Sequence, residues 1–200
     1  MKNIILGIAT LTTVLTACGN SSSDKKENNI IAQQPAVLIS DTATKQAPAV
    51  AEVKAAISIK EILDNYLQIK NAFAKDNDKD AATAGNEMVK AFAGFNKAAL
   101  TPDQAKVYND VEDDAREHAE HIGMNAGKIE HQREHFDMLS KDMADLIKTF
   151  GNGGQTLYKD FCPMYNKGKG AYWISETKEI KNPYLGKAMP TCGTMKQEMK

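Results

Sequence analysis

An excess of charge of either sign is missing from this chain. Its 200 residues carry 25 Lys and Arg against 26 Asp and Glu, a formal net charge of −1, with a pI near 6.4. A nucleic-acid binder carries a clear basic excess, so nucleic acid is excluded as a partner. Long apolar runs are missing too. Spanning a bilayer takes about 18 or more consecutive apolar residues, and no such run occurs. Aromatics are scarce at 6%, and the abundance of Ala, Lys, Asp and Glu points to helices rather than a β-sandwich. Cysteine is nearly absent: three residues are an awkward number for a disulfide framework. What remains suffices for one domain of ordinary size with an appendage.

The N-terminus reads as an address. Lys2 supplies a short positive region, Ile4 to Leu15 an apolar one, and the stretch ends Leu15-Thr16-Ala17-Cys18-Gly19. This is a secretory signal over residues 1–17, too short to serve as a mature spanning anchor. Small residues before a cysteine resemble the lipobox of bacterial lipoproteins. The resemblance implies cleavage before Cys18 and diacylation of its sulfur, hence lipidation at Cys18 and anchorage to a lipid bilayer outside the cytoplasm. Gly19 offers no acidic retention cue, which favours the outer membrane, facing the periplasm. The three cysteines then resolve into one anchor plus a pair, Cys162 and Cys192. Residues 18–57, with Ser21-Ser22-Ser23, Lys25-Lys26, Gln33-Gln34, Pro35 and Pro48, hold no period and read as a flexible tether.

Residues 58–150 read as four helices. Ser58-Ile59-Lys60-Glu61 has the capping-box pattern, and Ile62, Leu63, Tyr66, Leu67, Ile69 and Phe73 follow at helical spacing. The segment stops in Asp76-Asn77-Asp78-Lys79. This resembles half of a calcium loop but lacks its glycine and distal glutamate, and so reads as a turn. A second helix runs from about Asp80 to Asn96. Thr101-Pro102-Asp103-Gln104 opens a third with a threonine cap, a proline at the first helical position and a glutamine three after the cap. Gly123 to Gly127 interrupt, and a fourth helix runs from about Lys128 to Phe150. Segments of matched length, ~25–35 Å at ~1.5 Å per residue, joined by short links predict a mainly α, up-down-up-down four-helix bundle.

Residues 151–200 differ in kind. Seven of the thirteen glycines fall between Gly151 and Gly193, together with Trp173 and four of the six tyrosines. Leu157 to Phe161 and Ala171 to Ser175 read as short strands about a turn at Asn166 to Gly170. Such a loop-rich β extension is too small to stand alone. It needs the bundle, a disulfide or a metal.

All four histidines lie within 18 residues. His118 and His121 share a helix face near the end of the third helix, His131 and His135 one near the start of the fourth. Folding the hairpin at Gly123–Gly127 brings both pairs to similar height at one end of the bundle, so a four-imidazole cluster is possible. The tail offers Cys162-Pro163-Met164 and Met189-Pro190-Thr191-Cys192, a thiol and thioether set that suits Cu(I), while imidazole suits copper and zinc alike. Two readings stand beside these: surface histidines paired with their glutamates, and a Cys162–Cys192 disulfide closing a loop of about 31 residues, which would stabilise by roughly 3–4 kcal/mol. Met88, Met138 and Met143 read as core fillers.

The runs Ala119-Glu120-His121-Ile122 and Ile129-Glu130-His131-Gln132-Arg133-Glu134-His135-Phe136 resemble a family of uncharacterised bacterial domains. So do Cys162-Pro163-Met164, Gly170-Ala171-Tyr172-Trp173-Ile174-Ser175, Ile180-Lys181-Asn182-Pro183-Tyr184, Met189 and Cys192-Gly193 in the tail. That family occurs as stand-alone lipoproteins and as C-terminal extensions of periplasmic adaptors of copper/silver efflux pumps. The resemblance covers roughly residues 58–195 and implies a periplasmic metal-handling role with such an adaptor as partner. Cys162-Pro163-Met164 also resembles short heavy-metal modules, which carry a histidine where this chain has Tyr165.

The leading expectation is a non-catalytic lipoprotein binding copper, with zinc or silver as alternatives, for buffering or hand-over to an efflux system. Cys162, Met164 and Cys192 are the soft ligands, His131, His135, His121 and His118 the imidazole candidates, and Met189 is in reserve. The second expectation is a disulfide-stapled interaction module docking through Tyr165, Tyr172, Trp173 and Tyr184. A third, an enzyme with Cys162 as nucleophile, lacks any visible oxyanion-hole or general-acid pattern.

Overall fold

The computed structural model describes residues 58–200; the signal, the tether and Cys18 lie outside the described residues. Four helices come first: α1 Lys60–Ala74, α2 Asp78–Gly94, α3 Pro102–Met124 and α4 Ile129–Phe150. Three strands follow: β1 Leu157–Cys162, β2 Ala171–Ser175 and β3 Thr194–Met199. The described residues are thus mainly helical with a small β extension.

The caps show how the local sequence sets the helix starts. The Thr101 side chain accepts from Gln104 N at 3.3 Å while Gln104 Oε1 accepts from Thr101 N at 3.1 Å. This reciprocal box satisfies two of the orphan donors at the start of α3. At α1 the expected box does not form. Ile59 occupies the cap position without a side-chain bond, and Ser58 Oγ instead accepts from Lys60 N at 3.1 Å. Ile59 is buried, so packing of that side chain overrides the cap. The calcium-like turn is fully spoken for. Asn77 caps α2 by accepting from Asp80 N at 3.1 Å, Asp78 accepts from Gly127 N at 2.5 Å, and Asp76 takes Arg133 at 2.6 Å.

Consecutive helices pack on one another, and α1 also meets α4. Their apolar stripes close a core around Leu63, Tyr66, Phe73, Phe92, Phe136 and Leu146. Each such side chain, fully buried, contributes about 1.5–3 kcal/mol. β2 packs on α4 and α1, so Leu157, Trp173, Ile174 and Tyr184 of the tail belong to the same core. The sheet is antiparallel in the order β2-β1-β3, with a bulge between Lys159 and Asp160.

β3 has no counterpart among the expected strands. Thr194-Met195-Lys196-Gln197-Glu198-Met199 is almost wholly exposed, so it carries no apolar alternation. Its extended form is imposed by the open edge of β1, from Leu157↔Met199 to Phe161↔Thr194.

Three polar connections seat the tail. Tyr66 Oη accepts from Ile174 N at 3.0 Å and lies 2.8 Å from Ser140 Oγ, which donates to Phe136 O at 2.8 Å. With its lone pair facing Ile174, the tyrosine hydroxyl donates to Ser140, and every proton has one acceptor. Fully buried Lys70 donates to Glu176 at 2.7 Å, and Asn71 donates to the other carboxylate oxygen at 2.7 Å. Arg133 donates to Pro183 O at 2.8 Å and Phe73 O at 2.9 Å besides its ion pair with Asp76. A buried cation without such partners would cost several kcal/mol. The small extension, too short for its own core, is held this way.

Candidate metal centre

The α3–α4 hairpin is built to hold one geometry. α2 crosses α3 at Gly85, where an added Cβ would stand 2.8 Å from Ala119 O and 2.9 Å from Gly123 N. Only glycine permits so close an approach. The buried amide of Gln132 donates to Ile122 O at 2.8 Å and Asp78 O at 3.1 Å. One side chain of α4 thereby ties off the end of α3 and the start of α2. His118 and His121 on one side of the hairpin, and His131 and His135 on the other, are set by these contacts.

The four imidazoles do come together. Candidate ligand atoms of His121, His131 and His135 all lie within 4.8 Å of one another. The His121 and His135 rings stack at 4.2 Å with an interplanar angle of 7°. His131 stands edge-on to His135 at 4.7 Å. All three are half-buried.

His118 is not a member of this triad. Its Nδ1 lies 3.2 Å from His135 Nδ1, a contact that requires a proton on one nitrogen and a lone pair on the other. Burial, and then the neighbouring His121, His131 and His118, push the His135 imidazolium down to about 4. Burial also lowers His118, against the pull of Asp114 and Glu117. Both shifts favour the neutral rings, and the contact itself requires only that the accepting nitrogen be unprotonated. The other two have carboxylates behind them: Glu134 Oε2 is 3.4 Å from His131 Nδ1, and Glu117 Oε1 is 3.7 Å from His121 Nε2. His135 and His131 thus each have one nitrogen within hydrogen-bond distance of an outer partner, whereas Glu117 stands beyond that distance from His121. This is the arrangement in which outer-shell groups orient metal-binding imidazoles.

The sulfurs form a separate pair. Cys162, fully buried at the end of β1, places Sγ 3.7 Å from Sγ of half-buried Cys192, and both cysteines are free. Among the described residues, the triad is the one group of three or more His, Cys, Asp or Glu with ligand-competent spacing, and no cysteine joins it. Burial and the contact with Cys162 raise the Cys192 thiol, which keeps it protonated near neutrality and a weak nucleophile. Met164 and Met189 are 59% and 43% exposed. The expected ligands thus fall into two groups, with His118 behind one of them.

Two further expectations change. Met138, read as a core filler, is 37% exposed, because α4 carries it on the solvent side; Met88 and Met143 are buried as expected. Of the four rings expected to dock on a partner, Trp173 and Tyr184 are buried and Tyr165 stacks on Tyr184 at 4.4 Å. Tyr172 alone of these is exposed.

Compared with known proteins, residues 62–155 match the sequence profile of a family described as "Protein of unknown function (DUF3347)". The match takes in all four helices from within α1 and all four histidines; Cys162, Met164, Met189 and Cys192 lie beyond it. Neither the curated proteins nor the solved structures give a match to the chain.

Proposed function

We infer, for a chain whose helical body carries a domain of that family of unknown function, that it binds a late first-row transition-metal ion, copper before zinc, at His121, His131 and His135. The observation carrying this reading is the convergence of ligand atoms of three half-buried imidazoles within 4.8 Å, with His131 and His135 each hydrogen-bonded to a partner behind it. Imidazole nitrogen suits Cu and Zn, and with a neutral His135 one ligand lone pair is free without loss of a proton. His118 acts as a positioning residue through the Nδ1···Nδ1 contact. Short links between consecutively packed helices support an up-down-up-down course, which puts both pairs at one end. Held by acylated Cys18 on the periplasmic side of the envelope, such a domain buffers metal or passes it to an efflux adaptor, with no chemistry of its own.

Titration of the purified domain with Cu(II) against a competing chelator tests the reading. Removing one ligand with His131→Ala should cost more than the roughly 10–100-fold expected when an outer-shell partner such as His118 is lost in His118→Ala. His118→Asn, which restores an acceptor, should recover part of that loss. Equal affinity in wild type and His131→Ala would remove the triad from the binding site.

A further inference from the structure

Among the described residues, the large apolar side chains left exposed are almost all of one kind. They are Met124, Met138, Met164, Met189 and Met195, with Tyr172 the single exception; leucine, isoleucine and phenylalanine are absent from that set. Three of the five flank the thiol pair in sequence. Met164 comes two after Cys162, Met189 three before Cys192, and Met195 three after it. The Cys192 amide donates to Met189 O at 3.2 Å, and Asn182 Nδ2 donates to Cys192 O at 2.5 Å, so the second thiol sits on a fixed turn. Gly193 continues that turn against the Trp173 ring, where a Cβ would stand 2.8 Å from the indole.

We propose that Cys162 and Cys192 form a second metal site, distinct from the imidazole triad, which takes one soft monovalent ion, cuprous or argentous, between two thiolates with a methionine thioether from Met164, Met189 or Met195 alongside. The spacing fits. Taking the zinc–thiolate length of about 2.3 Å as the scale, sulfurs 3.7 Å apart subtend an angle of about 107° at a shared ion. Such an angle leaves room for further donors. Among the described residues no imidazole or carboxylate completes a three-ligand group with the thiols, which removes the harder donors that zinc would share. The soft donors nearest along the chain are the thioethers of Met164, Met189 and Met195, and thiolate with thioether selects Cu(I). A disulfide needs the sulfurs at about 2.05 Å, more than an ångström closer than they stand. Binding releases both thiol protons to solvent and forms two metal–sulfur bonds; no electron moves, and the ion stays monovalent.

Anaerobic titration of the reduced full chain with Cu(I), in competition with bicinchoninate, tests this. Wild type should withdraw one equivalent, and His121→Ala/His131→Ala/His135→Ala should withdraw the same, so failure of the triad and failure of this site are distinguishable. Cys192→Ser should weaken retention by about 100-fold or more, and Met189→Leu or Met164→Leu by about 10-fold. Far-ultraviolet circular dichroism checks that Cys192→Ser is folded. If it is not, Cu(I) on wild type should shield the half-buried Cys192 thiol from alkylation by iodoacetamide. Unchanged retention in folded Cys192→Ser, alkylation unaffected by Cu(I), loss of the equivalent in the triad variant, or a Cys162–Cys192 disulfide resistant to mild reductant would each overturn the proposal.

Discussion

Asp142 and Asp160 carry the unusual electrostatics of single residues. Asp142 Oδ2 is buried without a hydrogen-bond partner. Burial, then Asp114 and Asp145, push its carboxyl up to about 7, with Lys141 pulling the other way. Asp160, fully buried at the β1 bulge, has neither oxygen hydrogen-bonded, and burial raises it to about 6 against Lys70. For Asp142 the folded carboxyl keeps its proton up to about pH 7, whereas an unfolded aspartate releases it near ~3.9. The folded state binds more protons across that window, so stability falls as pH rises from about 4 to 7. Asp142→Asn should therefore raise the melting temperature at pH 8 by about 2–4 °C, on the order of 1 kcal/mol after discounting for partial exposure. The gain should vanish near pH 4. An equal gain at both pH values in a calorimetric scan would show that the carboxyl is not responsible. None of this is legible in the sequence, because an Asp on a helix looks alike whether its neighbours in space are carboxylates or water.

At the scale of elements, the helices are the legible part. Their periodicity and the Thr101 box needed only neighbours three or four residues away, and the α3–α4 hairpin with two histidine pairs followed from the same spacing. What spacing did not supply is the depth at which α2 seats against α3. Gly85 sits mid-helix, where glycine is disfavoured by ~1 kcal/mol, and its role appears only with Ala119 O and Gly123 N beside it. Gly85→Ala should add helix propensity yet force these helices apart, with a net destabilisation of about 1–3 kcal/mol. Urea unfolding should show the lowered midpoint, and metal affinity at the triad should fall with it, since α3 carries His118 and His121. An alanine that stabilises would place the close approach elsewhere.

For the whole molecule, the tail and the helices share one core. Lys70–Glu176 and Arg133–Asp76 are buried or half-buried pairs between segments far apart in sequence, and no local pattern announces them. The anchor is the opposite case. Leu15 to Gly19 proposes lipidation from five adjacent residues, and Cys18→Ser should shift the protein from the membrane fraction to the soluble one. Membrane retention of that variant would sink the lipoprotein reading. The sequence by itself determined the helices, two of the three strands and the meeting of the histidine pairs, because period, caps and a short hairpin act over a few residues. Tertiary structure alone decided that three imidazoles form the triad while His118 stands behind His135, that β3 exists, and that the thiols touch each other apart from the histidines. Those outcomes depend on which side chains end up opposite one another, and burial and pairing across distant segments fix that only when the whole core closes.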